Sequence, residues 1–305
     1  MPTVMADAAP DVESVLPLPA PIDLAATMGP LAHGRGDPTI RFASDGIWRT
    51  TRTRAGPATV RLRAVPGGVV AAAWGPGAAT AVKELPDLVG ATDDPSPLEP
   101  RHRVIAELSR RLAGLRLTRS NRPFEALLPA ICEQKVTGIE ARAAFRAIVR
   151  RHGEPAPGPG GLRLPPEPSV LAALPYFAYH RFGLERRRAD LIRRAAALAP
   201  RLVDLPPADA YRLLASVPGI GPWTIAEVGR VAYGDPDAVS VGDYHLPNLV
   251  AWALAGEPRA DDARMLELLE PYRGQRGRVQ LLLEGSGITA PRYGPRMAPR
   301  RIATL

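Results

Sequence analysis

The apolar positions change their period part-way along the chain. Between residues 38 and 76 they fall in short runs of β-branched and aromatic residues, and Thr59, Val60, Arg61, Leu62 and Arg63 alternate polar with apolar. A two-residue period marks a half-buried strand. Asp45-Gly46, Gly56-Pro57 and Pro66-Gly67-Gly68 cut those runs, and such pairs are turn and hairpin signals. The pattern predicts four or five antiparallel strands over 38–76 and a helix over 78–89. From residue 105 the period lengthens. Ile105, Leu108, Leu112 and Leu115 recur at steps of three and four, and Phe124, Leu127, Leu128, Ile131 and Val136 continue them, as buried helix faces do. Helical patterns then run to near residue 285. They are broken by the Pro- and Gly-rich stretch 153–168, which reads as a surface loop, by "PPADA" and by "SVPGIGPW". The expected fold class is α+β. Residues 1–18 read as a flexible leader, 19–95 as an antiparallel β domain with a helix, and 96–305 as a helical region.

Composition sharpens this picture in three places. The 305 residues are 46% apolar, enough for a sizeable core, and 39 basic against 31 acidic residues leave a net charge of +8. That balance favours a polyanionic partner such as nucleic acid. Almost all of the positive charge is arginine; Lys83 and Lys135 are the only lysines. The densest run, residues 180–196, reads as a helix with Arg186, Arg193 and Arg194 on one side and Leu184, Leu191 and Ile192 on the other. Phosphate contact and a merely solvated face both stay open for it. The single cysteine, Cys132, lies in an apolar run and reads as a core residue, so no disulfide framework is expected. No stretch of about 18 apolar residues predicts a membrane span, and the N-terminus does not read as a signal peptide. A cytoplasmic protein is expected.

The candidate chemistry begins at "LLASVPGIGPWTIAEV". Ala210, Leu213 and Leu214 give one apolar face before Val217, and Pro218 is a poor helix-interior residue. Gly219 and Gly221 are expected to take backbone angles closed to other residues and to leave their amides uncovered. Pro222 suits the first turn of a new helix. The result is a helix, a tight hairpin and a second helix over about 208–233, with N–H groups presented to an anion. Backbone donors grip phosphate without sequence preference. Asp243 follows 24 residues after Gly219, at the start of the helical pattern "YHLPNLVAWALA". A cap for that helix and a carboxylate for chemistry are both open roles. Asp235 and Asp237, in a Gly-Asp-Pro turn, read as local turn formers.

"LASVPGIGPWTIAEV" followed by "AVSVGDYHLPNLVAWALAG" closely resembles the helix-hairpin-helix DNA glycosylase superfamily, nearest to 3-methyladenine DNA glycosylase II. "PFEALLPAICEQKVTGIEARAAF" is similar to that family's helix around its Gln-x-Val-Ser/Thr signature. The resemblance implies two helical subdomains behind the β domain, and a monomer acting on double-stranded DNA that contains a damaged base. It implies removal of an alkylated, 3-methyladenine-like purine from a nucleotide turned out of the duplex. Asp243 would stabilise the oxocarbenium-like transition state and activate water. The lysine nucleophile of some relatives is replaced by Trp223, which implies a monofunctional enzyme without lyase activity. Trp223, Glu227, Tyr244 and Gln275 would line the base pocket, with Trp223 as an aromatic wall and Gln275 where the family carries tryptophan. Glu227 either accepts from the base or is simply solvated. Gly219, Gly221, Thr224, Gln134, Lys135 and Arg276 would contact DNA. Lys135 stands where an apolar wedge is expected; gap filling and a surface charge near phosphate are both open to it. The carbonyls of Ala215, Val217 and Gly219 match places where relatives hold a structural monovalent cation. No cofactor is required by this reading, and one cysteine cannot build an iron–sulfur cluster. A non-catalytic damage-recognition protein and a glycosylase for another purine lesion remain as alternatives.

Overall fold

The computed structural model describes residues 9–18, 20 and 22–291. Five strands, β1 (Val12–Pro17), β2 (Ile40–Ala43), β3 (Gly46–Thr53), β4 (Gly56–Val65) and β5 (Gly68–Trp74), form one antiparallel sheet in the order β1-β5-β4-β3-β2. The three central hairpins are tight, with Ala43 opposite Gly46, Thr53 opposite Gly56 and Val65 opposite Gly68. In the Pro66-Gly67 loop the glycine supplies the left-handed angle, φ +77°, while the other two loops are each followed by a glycine at positive φ, Gly46 at +133° and Gly56 at +125°.

The leader needs correction. Residues 12–17 are an edge strand paired with β5, Val15 opposite Val70, while residues 1–8 lie outside the described residues. The strand was hidden because its pattern is muddled: Ser14 faces inward and Val15 is 63% exposed.

The sheet is covered on both faces. On one, Val60, Leu62, Val69, Ala71 and Ala73 pack with helix α1 (Leu24–Met28) and with α2 (Ala78–Lys83) and α3 (Leu85–Leu88). The expected single helix over 78–89 breaks at Glu84, ahead of Pro86, which starts the second helix well but would not continue the first. On the other face Trp48 and Trp74 stack at 5.3 Å under the 153–168 loop. That loop is a strap: Thr59 Oγ1 donates to Pro157 O at 2.6 Å and Arg41 Nη1 to Gly160 O at 2.7 Å.

The helical region holds two further cores. One is built by α5 (Pro123–Glu133), α6 (Gly138–His152), α7 (Pro168–Ala173), α8 (Arg186–Leu202), α9 (Pro207–Ala215) and α10 (Pro222–Val228). Cys132 is fully buried in it, and Arg188, 3% exposed, donates to the Cys132 carbonyl at 2.8 Å. The other joins α4 (Arg103–Arg111) to α11 (Leu246–Ala255), α12 (Asp262–Leu269) and α13 (Arg276–Glu284). The sheet docks on α5 through Glu125, which accepts from Arg49 Nη2 at 2.9 Å, Thr51 Oγ1 at 2.8 Å and Arg52 N at 3.0 Å. Among the described residues no helix is long and apolar enough to cross a membrane.

Candidate active site and nucleic-acid interface

The hairpin joins α9 to α10 through Ser216–Gly221. Val217 N donates to Leu214 O and Ile220 N to Val217 O, each at 3.0 Å. Ile220 turns inward, 6% exposed, and anchors the tip in the core. Gly219 has φ +100°, a conformation costly for any side chain. Gly221 is different: it is extended at φ −104°, ψ 179°, and a Cβ there would meet nothing within 4 Å. Only the first glycine is therefore demanded by backbone shape, contrary to the expectation for both. No acceptor for the N–H groups of Gly219 and Gly221 is found among the described residues.

Gln134 fastens the α5–α6 turn to this hairpin. Its Nε2 donates to Gly219 O at 3.0 Å and to Thr224 Oγ1 at 2.9 Å. Thr224 is 2% exposed, so it clamps the hairpin from inside and is corrected from a DNA contact to a packing residue. Gln134 likewise spends its donor within the protein. Lys135, the next residue, is exposed and has φ +54°.

Asp243 sits on the loop before α11, half-buried. Its Oδ1 accepts from His245 N at 2.7 Å and Leu246 N at 2.8 Å. Neither a partner for Oδ2 nor an ion pair to Asp243 exists among the described residues. Capping and an open carboxylate oxygen thus coexist. The loop is held by Gly242 N donating to Asp262 Oδ1 at 3.0 Å, and it rests on the hairpin helix: a Cβ on Gly242 would lie 3.8 Å from Trp223 Cβ. Trp223 is half-buried, and Tyr244, beside the aspartate, is 85% exposed with its ring edge-on to His245 at 4.9 Å.

Glu227 lies one turn beyond Trp223 in a polar network that sequence did not reveal. Its Oε1 accepts from Ser240 Oγ at 2.5 Å and Arg230 Nη1 at 3.2 Å. Arg230 also pairs with Glu284, and Gln280 donates to Glu284 at 2.8 Å and to Ser240 Oγ at 2.9 Å. Burial pushes the Glu227 carboxyl above its ordinary range, against the opposing pull of Arg230.

Two residues assigned to the site are occupied elsewhere. Gln275, 9% exposed, accepts from Arg278 Nε at 2.7 Å, and Arg278 pairs with buried Asp93. Its oxygen is thus tied to Arg278 within α13, and through Arg278 to the linker before α4, a structural link where the sequence placed a pocket wall. Arg276 is held by Asp237, with Nε to Oδ1 at 2.8 Å and Nη2 to Oδ2 at 2.5 Å. That bidentate pair leaves it a brace for α13 in place of a phosphate contact. In the basic run, Arg188 is buried, and Arg186 and Arg193 both pair with Asp190.

No protein-family model matches the chain, and no curated protein matches it. Solved structures do. A 3-methyladenine DNA glycosylase from Archaeoglobus fulgidus superposes with a TM-score of 0.74 at 19% identity, over 89% of this chain and 97% of that one. The fold is that of the helix-hairpin-helix DNA glycosylases. An 8-oxoguanine glycosylase/lyase from Clostridium acetobutylicum, in complex with double-stranded DNA containing cytosine opposite 8-oxoguanine, shares this glycosylase fold. It superposes with a TM-score of 0.69 at 13% identity, over 92% of this chain and 100% of that one.

Proposed function

We propose that the chain is a monofunctional DNA base-excision glycosylase that hydrolyses the N-glycosidic bond of alkylated, 3-methyladenine-like purines turned out of duplex DNA. The observation that carries this reading is Asp243, with one oxygen fixed by two backbone donors and the other open, on a loop resting against Trp223. As the base leaves, positive charge develops on the sugar, and a carboxylate held beside that carbon stabilises it. Water then bonds to the sugar carbon, its proton passes to Asp243, and the departing base takes the bonding electrons. The Trp223 face attracts an electron-poor alkylated ring by roughly 0.5–2 kcal/mol. The uncovered Gly219 and Gly221 amides suit a phosphate of the same strand. On this reading the carbonyls of Ala215, Val217 and Gly219 would hold a structural monovalent cation. Val217 O and Gly219 O each accept one hydrogen bond, leaving a lone pair on each. Such an ion would brace the turn and take part in no reaction step.

Likeness to the Archaeoglobus enzyme supports the alkylated substrate, and the Clostridium complex supports duplex DNA. Trp223 at the place of a lysine nucleophile, with Lys83 and Lys135 the only lysines, supports base release without strand cleavage. Likeness to an 8-oxoguanine glycosylase/lyase favours a second reading, an oxidised purine as substrate.

The test is Asp243→Asn on methylated duplex, with abasic sites revealed by heat and alkali. Base release is expected to fall about 10²-fold or more while duplex binding persists. Undiminished release would sink the assignment. A panel of alkylated and oxidised lesions separates the two substrate readings.

A further inference from the structure

The loop 32–37 leaves the β domain and lies against α6. It is shaped from within. Asp37, 6% exposed, accepts from His33 N and Thr39 N at 2.8 Å and from Thr39 Oγ1 at 2.7 Å. Gly34 and Gly36 have φ +84° and +81°, and Arg35 between them is exposed. The stem of Arg142 crosses Gly34 so closely that a Cβ there would lie 2.2 Å from Arg142 Cδ. The Arg142 guanidinium ends over Gly138, with Nη1 3.3 Å from that residue's Cβ position. One turn along, Arg146 Nη1 donates to Arg35 O at 3.1 Å.

This places the tip of a β-domain loop beside the start of α6, three residues after exposed Lys135 and next to the turn that Gln134 ties to the hairpin. Arg35, Lys135, Arg142 and Arg146 have no carboxylate partner among the described residues. The nearby acids are engaged: Glu140 Oε2 accepts from Thr137 N and Oγ1, and Glu133 faces His33 Nδ1 at 3.9 Å.

We propose that Arg35, Arg142 and Lys135 form a second backbone-gripping surface for duplex DNA, through which the N-terminal β domain holds phosphates flanking those at the hairpin. The inference rests on the proposed action on DNA and deepens it. Guanidinium groups pair with phosphate in two-pronged fashion. The internally bonded loop presents Arg35 with little ordering left to do on binding. The contact is sequence-independent, as a repair enzyme searching undamaged duplex requires.

The experiment is the salt dependence of binding by the full chain to a lesion-free duplex, which needs no base excision. Each phosphate contact contributes about 0.9 to the slope of log affinity against log salt. Arg35→Ala/Arg142→Ala is expected to lower the slope by about two, so the loss of affinity between roughly 50 and 200 mM salt shrinks about tenfold. Arg35→Ala alone, at the exposed tip, removes about one. Arg35→Lys/Arg142→Lys keeps the parental slope, which separates charge from misfolding. Shortening the duplex stepwise from one end, and not from the other, erases the difference between variant and parent. An unchanged slope in both alanine variants overturns this surface and leaves the glycosylase reading standing. Failure of the parent to bind duplex overturns both.

Discussion

Gly219 and Gly221 stand two residues apart and answer to different constraints. Gly219→Ala must place a side chain at φ +100° with its Cβ 3.3 Å from Leu191 Cδ2. It is expected to cost about 1–2 kcal/mol, read as a lower urea midpoint. Gly221→Ala has room and ordinary angles, so stability should hold within about 0.5 kcal/mol while duplex affinity falls, because a methyl then crowds the open amides. Equal destabilisation by both would contradict the geometry. The paired glycines in the sequence announce a turn, but which one the turn requires is a matter of φ, and φ is decided by where Ile220 packs. Arg276 teaches the same lesson. Its charge was legible; its partner, Asp237, lies 39 residues away, and no local pattern joins the two.

Helix α13 depends on that partner. Asp237 Oδ1 accepts from Gly274 N at 2.8 Å and Arg276 N at 3.0 Å, besides gripping the Arg276 side chain. Burial alone would raise its carboxyl, but these hydrogen bonds hold it below the usual range. A depressed folded-state value means the stabilisation is fully present above the unfolded carboxyl's pKa, near ~4, and is lost as pH falls through the folded value. Asp237→Ala is accordingly expected to cost about 1–3 kcal/mol at neutral pH. Denaturant titrations should show the gap to the parent narrowing in acid. Elements with a strong period were readable: the Thr59–Arg63 alternation lies in β4, Ile105 and Leu108 lie in α4, and Phe124, Leu127, Leu128 and Ile131 lie in α5, whereas Leu112, Leu115 and Val136 fall past the ends of those helices. Edge strand β1 was not, because pairing on one side only lets a serine face inward and a valine outward.

Across the molecule, separate cores are tied by a few buried charges. Arg278 and Asp93, 5% and 8% exposed, join α13 to the linker before α4, and Asp93 also accepts from Leu117 N at 3.1 Å. Arg278→Ala strands a buried carboxylate, and unfolding by denaturant should reveal a loss of about 3–5 kcal/mol. Such long-range ties have no signature along the chain, which is why the order of the elements was easier to read than their fastening.

Cys132 has a chemical corollary. Its sulfur is fully buried, and burial pushes the thiol's pKa up to about 12, so almost none of it is thiolate, the form that electrophiles attack. Methylating agents that scar DNA also modify reactive protein sulfur. A cell under such chemical assault would therefore retain this chain with its one sulfhydryl intact.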